Sequence, residues 1–212
     1  PGLAAAGYAA RAQDASTAFT NPAGMTQLDG TQVLVGGQLM WLNTKFSVDA
    51  ATSPGLGSGD GGRVYGSNGY VPGGGAFLTH RVSPDLALGF AVAGNFGSVL
   101  DYDDAWAGRY RVQDADLVGI SVVPSIAYRV NDKLSLGAGI NGMYGMFDQQ
   151  VAINNAVPSL GDGRLELDDD TWGWGANVGM LYEPMPGTRL GLTYTSEIDL
   201  DFSSTAKFSG LG

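Results

Sequence analysis

Few side chains in this sequence are of types that make or break bonds. Cysteine is absent and there is a single histidine, His80. That removes thiolate nucleophiles, disulfides and Cys-based metal sites. A Ser-His-Asp hydrolase would need His80 beside a nucleophile and a carboxylate. A lone histidine near the end of a strand reads instead as an interfacial or structural residue, so no catalytic site is expected. Carboxylates gather at Asp101, Asp103 and Asp104 and again at Asp168-Asp169-Asp170. Such groups can meet Ca²⁺, but the spacing and closing Glu of an EF-hand are missing. They read as solvated strand ends and loops, and no metal or cofactor is expected. The glycine-rich runs at 55–62 and 73–75 precede neither Gly-Lys-Ser/Thr nor a helix, so they are not phosphate loops.

The most distinctive local chemistry is conformational. Ala15–Leu28 is small, apolar and nearly uncharged, with Asn21-Pro22-Ala23-Gly24 at its centre. Asn tolerates left-handed backbone, Pro fixes φ and removes a donor, and Gly permits positive φ. A rigid, compact turn is expected. It precedes the first strand, so its role depends on what the strands build around it.

The strands are written in a period of two. In 118–130 the even positions read Val118, Ile120, Val122, Pro124, Ile126, Tyr128, Val130, against Gly119, Ser121, Val123, Ser125, Ala127, Arg129. The stretches 86–96, 134–146 and 172–182 repeat the pattern, the first with Leu86 to Phe96 all on one face. A soluble sandwich would put Lys, Glu and Thr on its second face. Here that face is Gly, Ala, Ser and Asn, which suits close approach of other backbone. Trp41, Tyr128, Tyr144, Trp172, Tyr182 and Tyr194 lie towards the ends of the apolar faces, as interfacial girdles do.

Seven strands are expected, at 31–44, 70–82, 85–98, 115–130, 133–150, 165–183 and 188–203. Short turns follow strands two, four and six, and long polar loops (45–69, 99–114, 151–164) follow strands one, three and five. That alternation marks an outer-membrane β-barrel, short turns in the periplasm and long loops outside. Charged residues are only 15% of the 212, mean hydropathy is near zero, and no run approaches 18 apolar residues. With no helix able to span, a membrane protein of this composition must cross with strands. A net charge of −10 argues against nucleic acid. No basic-then-apolar leader opens the sequence. The expected fold is all-β: an antiparallel transmembrane barrel, with a plug at 1–30 and strands over 31–212. An odd strand count fits the first half of a larger barrel.

Four stretches in order carry a resemblance. They are Ala12–Met25, Asn95–Tyr110, Val123–Gly139, and Trp172–Gly179 with Tyr182-Glu183-Pro184 and Arg189–Ser196. They resemble the hatch, third strand and loop, fourth and fifth strands, and sixth and seventh strands of the FadL-like family of long-chain fatty-acid outer-membrane transporters. The resemblance implies about fourteen strands in a monomeric barrel of the Gram-negative outer membrane, in contact with its lipids and lipopolysaccharide. It implies passive uptake of hydrophobic molecules, driven by transfer from water to apolar surroundings, with sideways release at a kink in strand three. Asn21, Pro22, Ala23 and Gly24 would form the gate, and Gly94, Asn95, Phe96 and Gly97 the kink. Phe19, Met25, Met143 and Phe147 would line the ligand's path. Long-chain fatty acids are the expected ligands. The family's fatty-acid transporters place basic residues in the pocket, yet Tyr144–Ala152 has none, which favours neutral aromatic or alkane hydrocarbons as the alternative. Arg109, Arg111 and Arg129 are the candidate substitutes. Two readings from other classes are a non-transporting surface receptor or adhesin and an outer-membrane lipase.

Overall fold

A computed structural model describes residues 7–41, 47–49, 51, 56, 70–155 and 160–211. Its strands are β1 (Thr31–Trp41), β2 (Tyr70–Arg81), β3 (Leu86–Asp101), β4 (Asp114–Asn131), β5 (Leu134–Ile153), β6 (Gly163–Met185), β7 (Thr188–Thr195) and a short β8 (Lys207–Ser209). The sheet runs β1 to β7 in sequence order, every pair antiparallel, with β8 returning to β6. It forms an antiparallel half-barrel. The expected long loop at 45–69 and the last residues of the first expected strand lie mostly outside the described residues.

The two faces divide as the alternation dictates. Val33, Val35, Ile126, Ile140, Trp174, Val178, Leu192 and Tyr194 stand exposed on the outer face. In water these would be a liability; against lipid chains they are the expected surface. The small residues of the other face meet the N-terminal segment, where Ala87, Ala91, Val123 and Ala127 are buried. The short turns follow the expected chemistry. Asn131 Oδ1 accepts from the backbone N–H groups of Lys133 and Leu134, and Gly187 takes φ +82° in the β6–β7 turn.

Two expectations about strands are corrected. The seventh strand stops at Thr195, not 203, and 196–206 leaves the ladder before β8. The cause is the small inner face of β5 and β6. Ile198 lies against Gly173 and Gly175, and Leu200 and Phe202 against Gly145, so the segment folds inward over the glycines. The alternation of β3 also breaks. Its register against β4 shifts between Gly94 and Phe96, a β-bulge that reverses which residues face in. Phe96 then lays its ring on Gly119, on the inner side, instead of sharing the outer face with Phe90 and Val92.

Candidate functional site: a seated hatch beside a cleft in the wall

The N-terminal segment packs against the inner face as one turn of helix α1 (Thr17–Thr20) followed by a 3-10 turn at Pro22–Gln27. Asn21 joins them with extended backbone (φ −157°, ψ 98°), and Gly24 has no positive φ, so the compact turn forms without left-handed backbone. Pro22 begins the 3-10 turn, where its missing N–H costs nothing. The Asn21 side chain does more than turn the chain. Its Oδ1 accepts from Ala23 N at 3.1 Å, and its Nδ2 donates to Ala9 O at 2.6 Å and to Met180 O of β6 at 3.1 Å. Gly24 is required by close approach: a Cβ there would come 2.7 Å from Thr17 Cγ2 and 3.1 Å from Ala12 Cβ.

The wall is shaped to receive this segment. A Cβ added at Gly89 would strike Met25 Sδ, at Gly137 the Ala23 backbone, and at Gly179 Asn21 Oδ1. Met25 is consequently 0% exposed, with Ser125 Oγ 3.7 Å from its sulfur. It sits between hatch and wall, not on an open lumen surface. Thr26 Oγ1 bonds Ser135 Oγ at 2.7 Å. Two arginines hold the segment's end. Arg81 donates to Thr26 O (2.7 Å) and Leu28 O (2.8 Å) and pairs with Asp29, while Arg129 donates to the same Thr26 carbonyl. Neither was foreseen in this role. The signal was present in Arg129, a charge on an otherwise Gly, Ala and Ser face, which must find a partner when buried.

Above the hatch, the wall opens. β2 and β3 pair only from Gly75↔Ala93 down to Arg81↔Ala87. Tyr70–Gly74 pair with β1 alone, and Gly94 and Phe96–Asp101 with β4 alone. Between them lies a cleft of about 640 Å³. Its lining includes inward-facing Gln38, Met40, Gly75, Ala93 and Phe96 and outward-facing Ala76, Val92, Gly97, Val118 and Ile120, so it runs through the wall from lumen to lipid face. Gly94, Asn95, Phe96 and Gly97 all border it, and a Cβ at Gly97 meets nothing within 4 Å. Gly73-Gly74-Gly75 supplies the opposite rim.

The other expected lining residues lie at different heights. Phe19 packs edge-on to Phe77 with ring centroids 6.4 Å apart, on the hatch. Met143 is buried on the inner face of β5, and Phe147 meets Phe202 of the inward-folded segment at 5.6 Å. Two of the three candidate basic residues are otherwise engaged, while Arg111 is exposed on the outer loop. Arg129 clamps the hatch, and Arg109 is in the outer loop. There Arg109 Nε donates to Asp162 Oδ2 at 2.7 Å, its other nitrogens reach Leu56 O, Trp106 O and Tyr110 Oη, and Tyr110 Oη donates to Asp162 Oδ1 at 2.8 Å. Burial pushes the Asp162 carboxyl up, but the hydrogen bonds from Arg109 and Tyr110 and the Arg109 charge bring it below the usual carboxylate range. Trp106 stacks on Tyr102 (3.8 Å), so the loop after β3 is a folded knob clipped to the loop after β5. His80 Nδ1 bonds Thr31 Oγ1 at 2.8 Å across β1 and β2.

With this geometry in place, comparison with known proteins is informative. A family described as outer membrane protein transport protein (OMPP1/FadL/TodX) matches residues 1–211. Outer membrane protein P1 of Haemophilus influenzae is 30% identical over 243 residues, covering 95% of this chain and 52% of that protein. The long-chain fatty acid transport protein of Salmonella typhi is 29% identical over 220 residues, covering 95% of this chain and 48% of its own length. Among solved structures, a Pseudomonas aeruginosa FadL homologue aligns with a TM-score of 0.70 at 22% identity, over 91% of this chain and 51% of that one. The Ralstonia pickettii toluene transporter TbuX aligns with a TM-score of 0.69 at 20% identity, over 94% of this chain and 57% of that one. The chain spans about half the length of the curated relatives it matches.

Proposed function

The chain belongs to the OMPP1/FadL/TodX family of outer membrane transport proteins, and from that premise we propose that it forms the hatch and one wall of a passive channel for hydrophobic molecules. The observation that carries this reading is the cleft between β2 and β3, immediately above the N-terminal segment packed on the inner face below it. A ligand arriving from outside meets a closed floor and an apolar opening at its side. It leaves through that opening into the bilayer. Transfer from water to apolar wall to lipid is downhill at roughly 25 cal/mol per Å² of apolar surface, so no energy source is needed.

Long-chain fatty acids are the first ligand reading, supported by relatives named as fatty-acid transporters. Neutral aromatic or alkane hydrocarbons are the second. What favours them is that Arg109 and Arg129 are committed to the loop clip and the hatch clamp.

The test is uptake of labelled oleate and toluene by cells producing the full-length protein. Uptake of either supports transport; uptake of neither points to the receptor or adhesin class. Gly97→Trp puts a bulky side chain at the cleft, starting from a position where an added Cβ meets nothing within 4 Å. It should reduce uptake at least about ten-fold while the barrel still assembles. Unchanged uptake removes the cleft from the route.

A further inference from the structure

The lining of the cleft is apolar or glycine except for two amides, Gln38 of β1 and Asn95 of the β3 bulge. No charged side chain lines it among the described residues. The nearest carboxylates by register are Asp116, paired with Val99, and Asp101, one step further along β3. Both lie on the outward face beyond the cleft, where they add negative potential. A carboxylate entering this passage would be stripped of water beside like charge and, among the described residues, without a cationic partner, the costliest way to bury an ion.

The two amides offer something else. Asn95 Nδ2 donates to Ser121 Oγ at 3.4 Å, and its carbonyl oxygen accepts no bond among the described residues. Gln38 Nε2 meets only Met40 Sδ among the described residues, at 4.0 Å. One acceptor and one donor therefore border the same cleft. A protonated carboxyl group presents the complementary set, an O–H and a C=O; a carboxylate has no O–H to give. We infer that this wall passes long-chain carboxylic acids in the neutral, protonated form, with the carboxyl group handed between Gln38 and Asn95. The inference rests on the lateral-release reading. The proton comes from solvent on entry and is lost to the interface on exit. Hydrocarbons need neither amide, so Gln38 and Asn95 set the balance between acids and hydrocarbons.

The experiment uses the full-length protein in cells, with oleate, oleyl alcohol and toluene as probes across pH 5.5–8.5. Folded protein is followed by heat-modifiable electrophoretic mobility. In the parent protein the oleate-to-toluene uptake ratio should fall as pH rises. Gln38→Leu and Asn95→Leu should each lower that ratio about ten-fold at the acidic end, and Gln38→Asn should restore most of it. Gln38→Lys supplies a cation for the carboxylate and should flatten the pH dependence, while the oleyl alcohol-to-toluene ratio stays free of any pH trend. If the leucine variants leave the oleate-to-toluene ratio unchanged, or the lysine variant keeps the parent's pH slope, the inference is overturned. Gly97→Trp separates the two levels. If it spares all three probes, lateral release itself fails. If it blocks all three while the amide variants do nothing, only the role of the amides fails.

Discussion

Asn21 ties the hatch both to the wall and to itself through one side chain. Three hydrogen bonds leave one fully buried side chain, one to the wall and two within the segment. At about 1 kcal/mol net for each, Asn21→Ala should loosen the seat by about 3 kcal/mol. Amide hydrogen exchange across 17–28 should then quicken roughly hundred-fold while strand amides keep their protection. Asn-Pro-Ala-Gly suggested a rigid, compact turn, and one forms, with Asn21 extended and Gly24 small because Thr17 and Ala12 crowd it. Residue identity pointed to the right place; its reason needed contacts from chain positions as distant as Met180. Gln38 could not be found at all from the sequence, since only the register Gln38↔Gly73 brings it to the rim of the cleft.

At the scale of elements, period-two alternation made the strands legible, because lipid and packed lumen impose opposite demands on alternate residues. It misled where one-sided packing imitates pairing. Ser196, Ile198, Leu200 and Phe202 alternate with Glu197, Asp199 and Asp201, yet that rhythm comes from lying on the glycines of β5 and β6. The bulge was likewise hidden, since Phe96 continues the even apolar series in the sequence while the shift turns it inward. The outer clip gives a prediction at this scale. Asp162 has its carboxyl held below the usual range, so its contribution is complete above the unfolded value of about 4 and disappears as pH falls through the lower folded one. Acidification through that window should lower the protection factors, taken against the intrinsic rate at each pH, of the Arg111 and Val112 amides, which are bonded to Gly108 O in the knob. Asp162→Asn should show the lowered protection already at neutral pH.

For the molecule as a whole, the decisive property is a sheet apolar outside and minute inside. Ile140 is 59% exposed in the middle of β5. Ile140→Arg should destabilise the assembled full-length barrel by about 2–4 kcal/mol, as charges do on a lipid-facing strand near the bilayer midplane. Urea unfolding in liposomes measures this, and an unaltered midpoint would mean the face meets water. The seat of the hatch has one more consequence, for the order of construction. Gly89, Ser125, Ser135, Gly137, Gly179 and Gly191, with Arg81 and Arg129, all belong to strands that follow the hatch directly in the chain. In the proposed channel, a polypeptide delivered N-terminus first therefore carries its stopper together with this half of the socket in one contiguous piece. On that reading the stopper is seated as this half of the wall folds, so a growing pore need never pass through a stage at which it leaks.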